Sequence, residues 1–390
     1  MFIERMDISK FSRGQEVWMK DSLELGYNYF QNEDGSFAWQ ENFAYAVDKE
    51  ALAHIRETSE RLHKKCIKIV EMAISNPKVL SDFHIPHDMH QYIIQDWKRD
   101  YGRFLIGRFD FAWTPTGVKM IEYNADTPAT IPESTRVLAK WGESVGVKLA
   151  GYTEDGRLTM DALATGLAKC LDGRIEKGNI CHVMPYPDNV EDKTHAIYWG
   201  DALNMAGYKN VISELKDFNI NYQSGKFMHH GLHVDACVRM YPWEFMLREP
   251  GRVNLYKNKC LFLNPAWTTL LSNKALLAIL YGLYPDDPAI LPAYFYKPDN
   301  MSQYAVKPIH SRGGENIILV DENGVEENSG SYNEYPVIYQ ERTNTRVIDE
   351  NVSTSIGAWM VGNKFSGLTF REDKTNIVKN NSSVVPHYVF

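Results

Sequence analysis

The chain has 390 residues, of which 44% are hydrophobic, 12% aromatic and 24% charged, enough apolar surface for a sizeable core and too little bias for disorder. At about 150 residues per domain this makes two or three packed units or one large domain with insertions, which excludes a small binding module. Lys and Arg number 42 against 50 Asp and Glu, a formal charge of -8, so no field is present to gather nucleic acid or anionic lipid.

The first residues, Met1 to Asp7, mix charges and lack an apolar stretch, so they do not read as a signal peptide, and no run approaches the roughly 20 apolar residues that span a bilayer. Five cysteines, at 66, 170, 181, 237 and 260, form no CxxC pair and are odd in number. That usage suits reduced thiols in a cytoplasmic protein. Residues 48–75 predict a helix: Asp48 can cap it, and Leu52, Ile55, Leu62, Cys66, Ile69 and Ala73 recur at helical spacing until Asn76-Pro77 interrupts. Pro86 is expected to open a second helix that reaches Trp97. The period then changes to that of strands. Residues 103–113 and 118–124 flank Thr114-Pro115-Thr116-Gly117, whose turn chemistry predicts a β-hairpin. Strand 180–184, polar loop 188–192, helix 193–206 ended by Gly207, and strand 210–212 read as a βαβ unit. Residues 268–282 predict one strong apolar helix, with Pro285, Pro288 and Pro292 breaking the chain beyond it. Strands are then expected at 304–308, 316–320, 337–342, 356–362 and 366–371, joined by Gly, Asn and Ser turns.

In the hairpin, polar residues interrupt the strand pattern in step. Arg108 and Asp110 share a face, and so do Glu122 and Asn124 on the return strand. A five-residue loop would set Asp110 opposite Glu122 and Arg108 opposite Asn124. Two carboxylates and an amide oxygen at cross-strand distance suit Mg²⁺ with phosphate oxygens completing its shell, and Arg108 could hold a phosphate or carboxylate bidentately. The plainer reading is an exposed face with scattered charges. In residues 307–316 a strand delivers Lys307, and the Gly313-Gly314 turn after Ser311 could bring backbone N–H groups close to phosphates, or be an ordinary turn. Neither GxxxxGK[ST] nor GxGxxG occurs, so those two nucleotide-binding routes are excluded.

Lys274, in the Ser272-Asn273-Lys274 helix start, could reach a phosphate or simply snorkel. Glu191 and Asp192 follow a strand at the carboxyl end, where open sheets bind ligands. They either recognise a cationic amine or favour the positive end of the helix they precede. His84, His87 and His90 lie close together, but Pro86 interrupts any common face and the spacing matches no standard zinc pattern. A GxSxG serine is missing, and no cysteine has a histidine partner at motif level.

Taken in order, Arg108-Phe-Asp110, Glu122-Tyr-Asn124-Ala-Asp126-Thr127-Pro128, Leu271-Ser-Asn-Lys274, Lys307-Pro308 with Ser311-Arg312-Gly-Gly-Glu315-Asn316, and Gly367-Leu-Thr-Phe-Arg371-Glu372-Asp373 resemble a known set. The set is that of the synthetase domain of the glutathionylspermidine synthase family, with its stand-alone bacterial acid–amine ligases. The resemblance implies an α/β fold of the ATP-grasp type, with a βαβ pre-ATP-grasp-type unit and β-rich nucleotide-binding lobes. It implies one synthetase domain over 1–390, comprising helices plus the metal-binding hairpin (1–135), a βαβ substrate-side unit (136–265) and a β-rich ATP-binding lobe (266–390). ATP and a pair of Mg²⁺ ions are the implied cofactors.

By position, Asp110, Glu122 and Asn124 match the Mg²⁺ ligands, and Arg108 the arginine that steadies the transferring phosphoryl group and the developing oxyanion. Lys274 and Lys307 match two ATP-phosphate lysines, with Ser311, Gly313 and Gly314 in the phosphate-side loop. Gln340 falls on the adenine side, and Arg371 faces phosphate. Glu191 and Asp192 match acids that meet the polyamine, and Thr127 takes a substrate-facing position. The implied reaction joins a peptide-like small-molecule carboxylate to a polyamine or other amine through an acyl phosphate, which needs no protein nucleophile. Residues 311–316 are expected to act as a lid that keeps water from the acyl phosphate. An ATP-grasp-like nucleotide-binding protein without ligase activity is the alternative. A metal hydrolase using only the hairpin leaves Lys274, Lys307 and Arg371 unexplained.

Overall fold

The computed structural model describes residues 1–32, 34–100, 102–145, 156–221, 223–343 and 352–390. Asp48 accepts a hydrogen bond from the Ala51 N–H and starts a helix over Lys49–Ser75, whose buried side carries Leu52, Ile55, Leu62, Cys66, Ile69 and Ala73. Asn76 is extended, ends this helix, and caps the short Pro77–Ser81 helix with its side chain. Pro86 does not open the next helix directly. A 3₁₀ turn over His87–Met89 intervenes before the helix His90–Asp100.

The long helix packs across a five-stranded antiparallel sheet in the order Ser383–Val385, Lys364–Asp373, Ser353–Val361, Ile106–Thr114, Gly117–Asn124. Alternation divides the Ile106–Thr114 strand. Phe109, Phe111 and Trp113 join the core beneath the helix, and burying each stabilises the fold by about 1.5–3 kcal/mol. Arg108 and Asp110 face the other way, into a cavity.

The hairpin turn is tighter than five residues. Thr114 pairs with Gly117 across Pro115-Thr116, a register that on its own would bring Ile121 opposite Asp110. A bulge corrects it: Phe111 pairs with Met120, while Asp110 pairs with Glu122 and Arg108 with Asn124, leaving Ile121 over. The expected cross-strand pairs therefore form, through an inserted residue rather than a longer loop.

A parallel four-stranded sheet runs Leu261–Leu263, Ala236–Arg239, Ile180–Met184, Lys209–Ile212. Its connecting helix, Val190–Met205, starts earlier than the sequence reading, because the Asn189 side chain accepts from the Asp192 N–H. Glu191 and Asp192 thus sit in the first helical turn and not in a loop before it. A second five-stranded antiparallel sheet contains Tyr304–Pro308 between Val337–Glu341 and Ile318–Asp321.

The helix expected over 268–282 is two helices, Thr269–Ser272 and Ala275–Leu283, broken at an extended Asn273. Asn273 accepts from the Ala275 N–H and donates to the Phe83 carbonyl, while the Lys274 N–H turns to the Ile309 carbonyl. These tertiary partners outweigh the local helical preference. Expected strands 316–320, 356–362 and 366–371 run as Ile318–Asp321, Ser353–Val361 and Lys364–Asp373. A small sheet of Ile3–Asp7, Phe43–Val47 and His387–Val389 joins the two ends of the chain and was not foreseen. All five cysteines are buried, with no disulfide among the described residues, and among those residues no helix is long and apolar enough to cross a membrane.

Gly367 holds φ +138, and a Cβ there would meet the Leu158 backbone nitrogen at 2.3 Å, where residues 156–158 dock beside the strand. Gly367→Ala is expected to destabilise the protein by about 2 kcal/mol or more, read as a lower urea midpoint at unchanged slope. An unchanged midpoint would mean that residues 156–158 yield freely.

Candidate functional site

A cavity of about 860 Å³, within the size range of small-molecule sites, is lined by residues of both five-stranded sheets. Arg108 reaches it because Gly357 lies beside Asp110 on the neighbouring strand, where a Cβ would press within 2.8 Å of Arg108 Cδ. Arg108 and Asp110 form a bidentate pair, Nε to Oδ1 at 2.7 Å and Nη2 to Oδ2 at 2.9 Å. They are only 4% and 6% exposed, a burial that neither charge could sustain alone. The remaining arginine nitrogen, Nη1, donates to the Ala129 carbonyl and to Thr130 Oγ1.

Across the hairpin, Asn124 Nδ2 donates to Asp110 Oδ2 and Glu122 Oε1, both at 2.8 Å. One amide therefore bridges the two carboxylates. Glu122 also meets Lys274 Nζ at 3.1 Å. Burial opposes its charge, but Lys274, the Asn124 amide and Lys307 hold its carboxyl well below the usual range.

The break at Asn273 gives Lys274 its direction: its Nζ also donates to the Ser311 carbonyl at 2.7 Å. Lys307 arrives on the strand Tyr304–Pro308 and donates to Gln340 Oε1 at 2.6 Å and to the Ile121 carbonyl at 3.1 Å. Burial, reinforced by Lys274, pushes Lys307 down to about 8 despite the attraction of Glu122. Gln340 closes this corner by donating to the Met120 carbonyl at 3.1 Å.

Arg371, opposite Ser355 on the Lys364–Asp373 strand, lines the cavity and donates to the Lys379 carbonyl. Gly313 and Gly314 take φ +55 and +71, and a Cβ at Gly313 would strike the Asn380 side chain at 2.2 Å. This turn needs glycine for both conformation and clearance. Arg312, which the sequence reading did not single out as a ligand, lines the cavity and donates to Oγ1 of Thr127, the expected substrate-facing residue. Ser311 lies off the main cavity, in a small adjoining pocket beside Glu244 and Asp126. Asp126 is tied down by Arg239 and by the Trp243 N–H and serves the framework.

At the far end of the cavity lies Glu191, which burial and the neighbouring Asp192 push up to about 7. Asp192 is also raised by burial, but it is not among the residues that line the cavity. Glu133, which the sequence reading missed, lines the same end from a five-residue π-helical turn, Glu133–Val137. It is 2% exposed, takes a hydrogen bond from Tyr27 OH on Oε1, and leaves Oε2 without a partner among the described residues. Ile-Pro-Glu-Ser reads locally as a plain helix start, so nothing in the sequence marks this acid.

His195 was also missed. Its Nε2 accepts from the Thr130 and Ile131 N–H groups at 2.8 and 3.2 Å, which assigns the proton to Nδ1, the donor to the Glu191 carbonyl at 2.8 Å. This buried ring joins the Glu191 turn to the Thr130 segment that holds Arg108. His195→Ala is expected to cost about 2–4 kcal/mol by orphaning two buried N–H groups, measured by urea denaturation. A loss below about 0.5 kcal/mol would show that water replaces the ring.

The family model described as glutathionylspermidine synthase preATP-grasp matches residues 10–390. The chain is 30% identical over 383 residues to a protein of Haemophilus influenzae provisionally named an acid–amine ligase, a match that covers 94% of this chain and 95% of that protein. It is 29% identical over 363 residues to trypanothione synthetase of Crithidia fasciculata and 25% identical over 370 residues to the bifunctional glutathionylspermidine synthetase/amidase of Escherichia coli K12. Those matches cover 85% and 88% of this chain but only 54% and 58% of the two longer relatives. The solved glutathione synthetase-like effector of Globodera pallida in its apo form is similar at a TM-score of 0.58 and 9% identity, covering 99% of this chain and 100% of that one. That likeness is one of fold, a mixed α/β architecture of the ATP-grasp type.

Proposed function

The chain belongs to the glutathionylspermidine synthase family, and from that premise we propose that it is an ATP- and Mg²⁺-dependent ligase that joins a small carboxylate to an amine through an acyl phosphate. The observation that carries this reading is the gathering of Asp110, Glu122 and Asn124 on one cavity face, beside Lys274, Lys307 and Arg108. The oxygens of these hairpin residues fit a hard divalent cation, and Mg²⁺ bound there would neutralise phosphate charge.

The cations of the chain already point into that space. Lys274 and Lys307 take the phosphates, with the Gly313 and Gly314 backbone and Arg371 around them and the Ser311 carbonyl steadying Lys274, and Gln340 lies on the adenine side. Arg108, pre-formed as a bidentate donor, exchanges Asp110 for the transferring phosphoryl group and the developing oxyanion. The substrate carboxylate attacks the γ-phosphoryl group of ATP, ADP leaves, and the amine then displaces phosphate from the acyl phosphate to give the amide. Residues 311–316 close over this step as a lid against water. Glu191 and Glu133 offer the ammonium group negative charge from the cavity wall, with Asp192 acting from beside Glu191, and Thr127 with Arg312 sits where the carboxylate partner would enter. Buried cysteines without a disulfide agree with a cytoplasmic setting.

The test is phosphate release from Mg²⁺ and ATP across peptide carboxylates, including glutathione, crossed with polyamines and amino acids, with mass spectrometry of products. Amide formation that depends on both partners supports the ligase; ATP binding without any turnover would favour a nucleotide-binding protein that does not ligate. Glu122→Gln, which keeps an acceptor for Lys274, should lower kcat about a hundredfold or more while the thermal midpoint stays near wild type. Full activity in that variant would remove the metal assignment. Because Glu191 is held at about 7 by burial and Asp192, it is protonated below that pH and attracts ammonium only above it. The amine KM should therefore rise as pH falls from 8 to 6, and Glu191→Gln should flatten this rise while leaving the ATP KM nearly unchanged. A persisting pH dependence in Glu191→Gln would assign it elsewhere.

A further inference from the structure

Away from the cavity, an antiparallel ribbon of Phe218–Ile220, Phe227–His229 and Leu232–His233 stands beside the parallel sheet. Neighbouring residues of a strand normally point to opposite faces. His229 and His230 do not, because His230 turns to φ +46 ahead of Gly231 at +81, and their ring centroids lie 4.2 Å apart. Asp217 precedes Phe218, the cross-strand partner of His229, and comes round to the same spot. One ligand atom from each of Asp217, His229 and His230 lies within 4.8 Å of the other two. Small side-chain rotations would close such a set onto an ion at the usual 2.0–2.1 Å.

A second observation comes from behind the ribbon. His182, on the strand Ile180–Met184, is 8% exposed and sets its ring edge-on to His229 at 5.0 Å. Its Nδ1 is buried with no hydrogen-bond partner among the described residues. His182 thus backs the cluster with a buried ring nitrogen whose hydrogen-bonding capacity is unspent among the described residues.

We propose that Asp217, His229 and His230 bind a transition-metal ion of the Zn²⁺ class, with the His182 imidazole at its back. Two imidazoles and one carboxylate favour borderline metals over Mg²⁺, whereas the hairpin set of Asp110, Glu122 and Asn124 offers oxygen alone. Three protein ligands leave a position for water, and the half-exposed setting makes the ion exchangeable. Bound there, it clips the Asp217 turn to the His230 turn of the ribbon. The inference does not rest on the ligase reading.

The experiment is equilibrium dialysis of the full chain, stripped of metal, against Zn²⁺ with excess Mg²⁺ present to occupy the hairpin ligands. Wild type and Glu122→Gln should each bind one Zn²⁺ per chain. His229→Ala and His230→Ala should each weaken that binding at least about tenfold. Co²⁺ should give a visible d–d absorption in wild type that both histidine variants lose. Circular dichroism checks folding, and Asp217→Asn supplies a third, milder variant if either histidine change perturbs the ribbon. Absence of Zn²⁺ binding under excess Mg²⁺, or binding at full strength in all three variants, would overturn the proposal.

Discussion

One unpaired residue, Ile121, decides which face of the hairpin its charges occupy. Were it paired with Asp110, the tight Pro115-Thr116 turn would place Glu122 and Asn124 opposite Phe109 and Gly107, on the side that packs beneath the long helix. A carboxylate in that hydrocarbon would cost several kcal/mol or force neutralisation. The insertion also leaves backbone oxygens at the bulge free of the ladder. Lys307 takes the Ile121 carbonyl and Gln340 the Met120 carbonyl, so the same irregularity that turns the carboxylates into the cavity recruits side chains from the other sheet. The two sheets meet at the bulge.

The charges gathered there satisfy one another. Arg108 embraces Asp110, Lys274 meets Glu122, and Asn124 bridges both carboxylates. Arg108, Asp110 and Lys274 have left water, and only their partners make that tolerable. A ligand bearing phosphate and a divalent cation would therefore exchange partners with a set already polarised, rather than bring charge into an apolar hole. The exchange leaves the number of compensated charges unchanged, and the donors need little reorientation to meet it.

Local chemistry was legible wherever its partners are local. The Asp48 cap and the apolar spacing from Leu52 to Ala73 define the long helix, and the alternation of Arg108, Asp110, Glu122 and Asn124 points to their shared face. The bulge was not legible, because a five-residue loop and a two-residue loop with one insertion give the same pairing. The break at Asn273 was not legible either, since it depends on Phe83 and Ile309, distant in sequence. Glu133 and His195 escaped for the same reason. His195 reads as one polar residue among several in a mixed helix, and only the fold brings the Thr130 and Ile131 N–H groups to its ring.

The strand order of the cavity sheet bears on the birth of the protein as well as its chemistry. Ile106–Thr114 pairs with Ser353–Val361, and that strand in turn with Lys364–Asp373, so the sheet joins segments far apart in the sequence. On the ribosome the hairpin emerges long before its neighbour, with the edge of Ile106–Thr114 open and with Arg108 not yet sealed behind Gly357. Loop closure over so long a span is slow, and an open strand edge beside Phe109 and Phe111 invites pairing with other chains. The whole stretch from Ile106 to Val361 must be made before this sheet can close, and a nascent chain of this topology has reason to depend on chaperones.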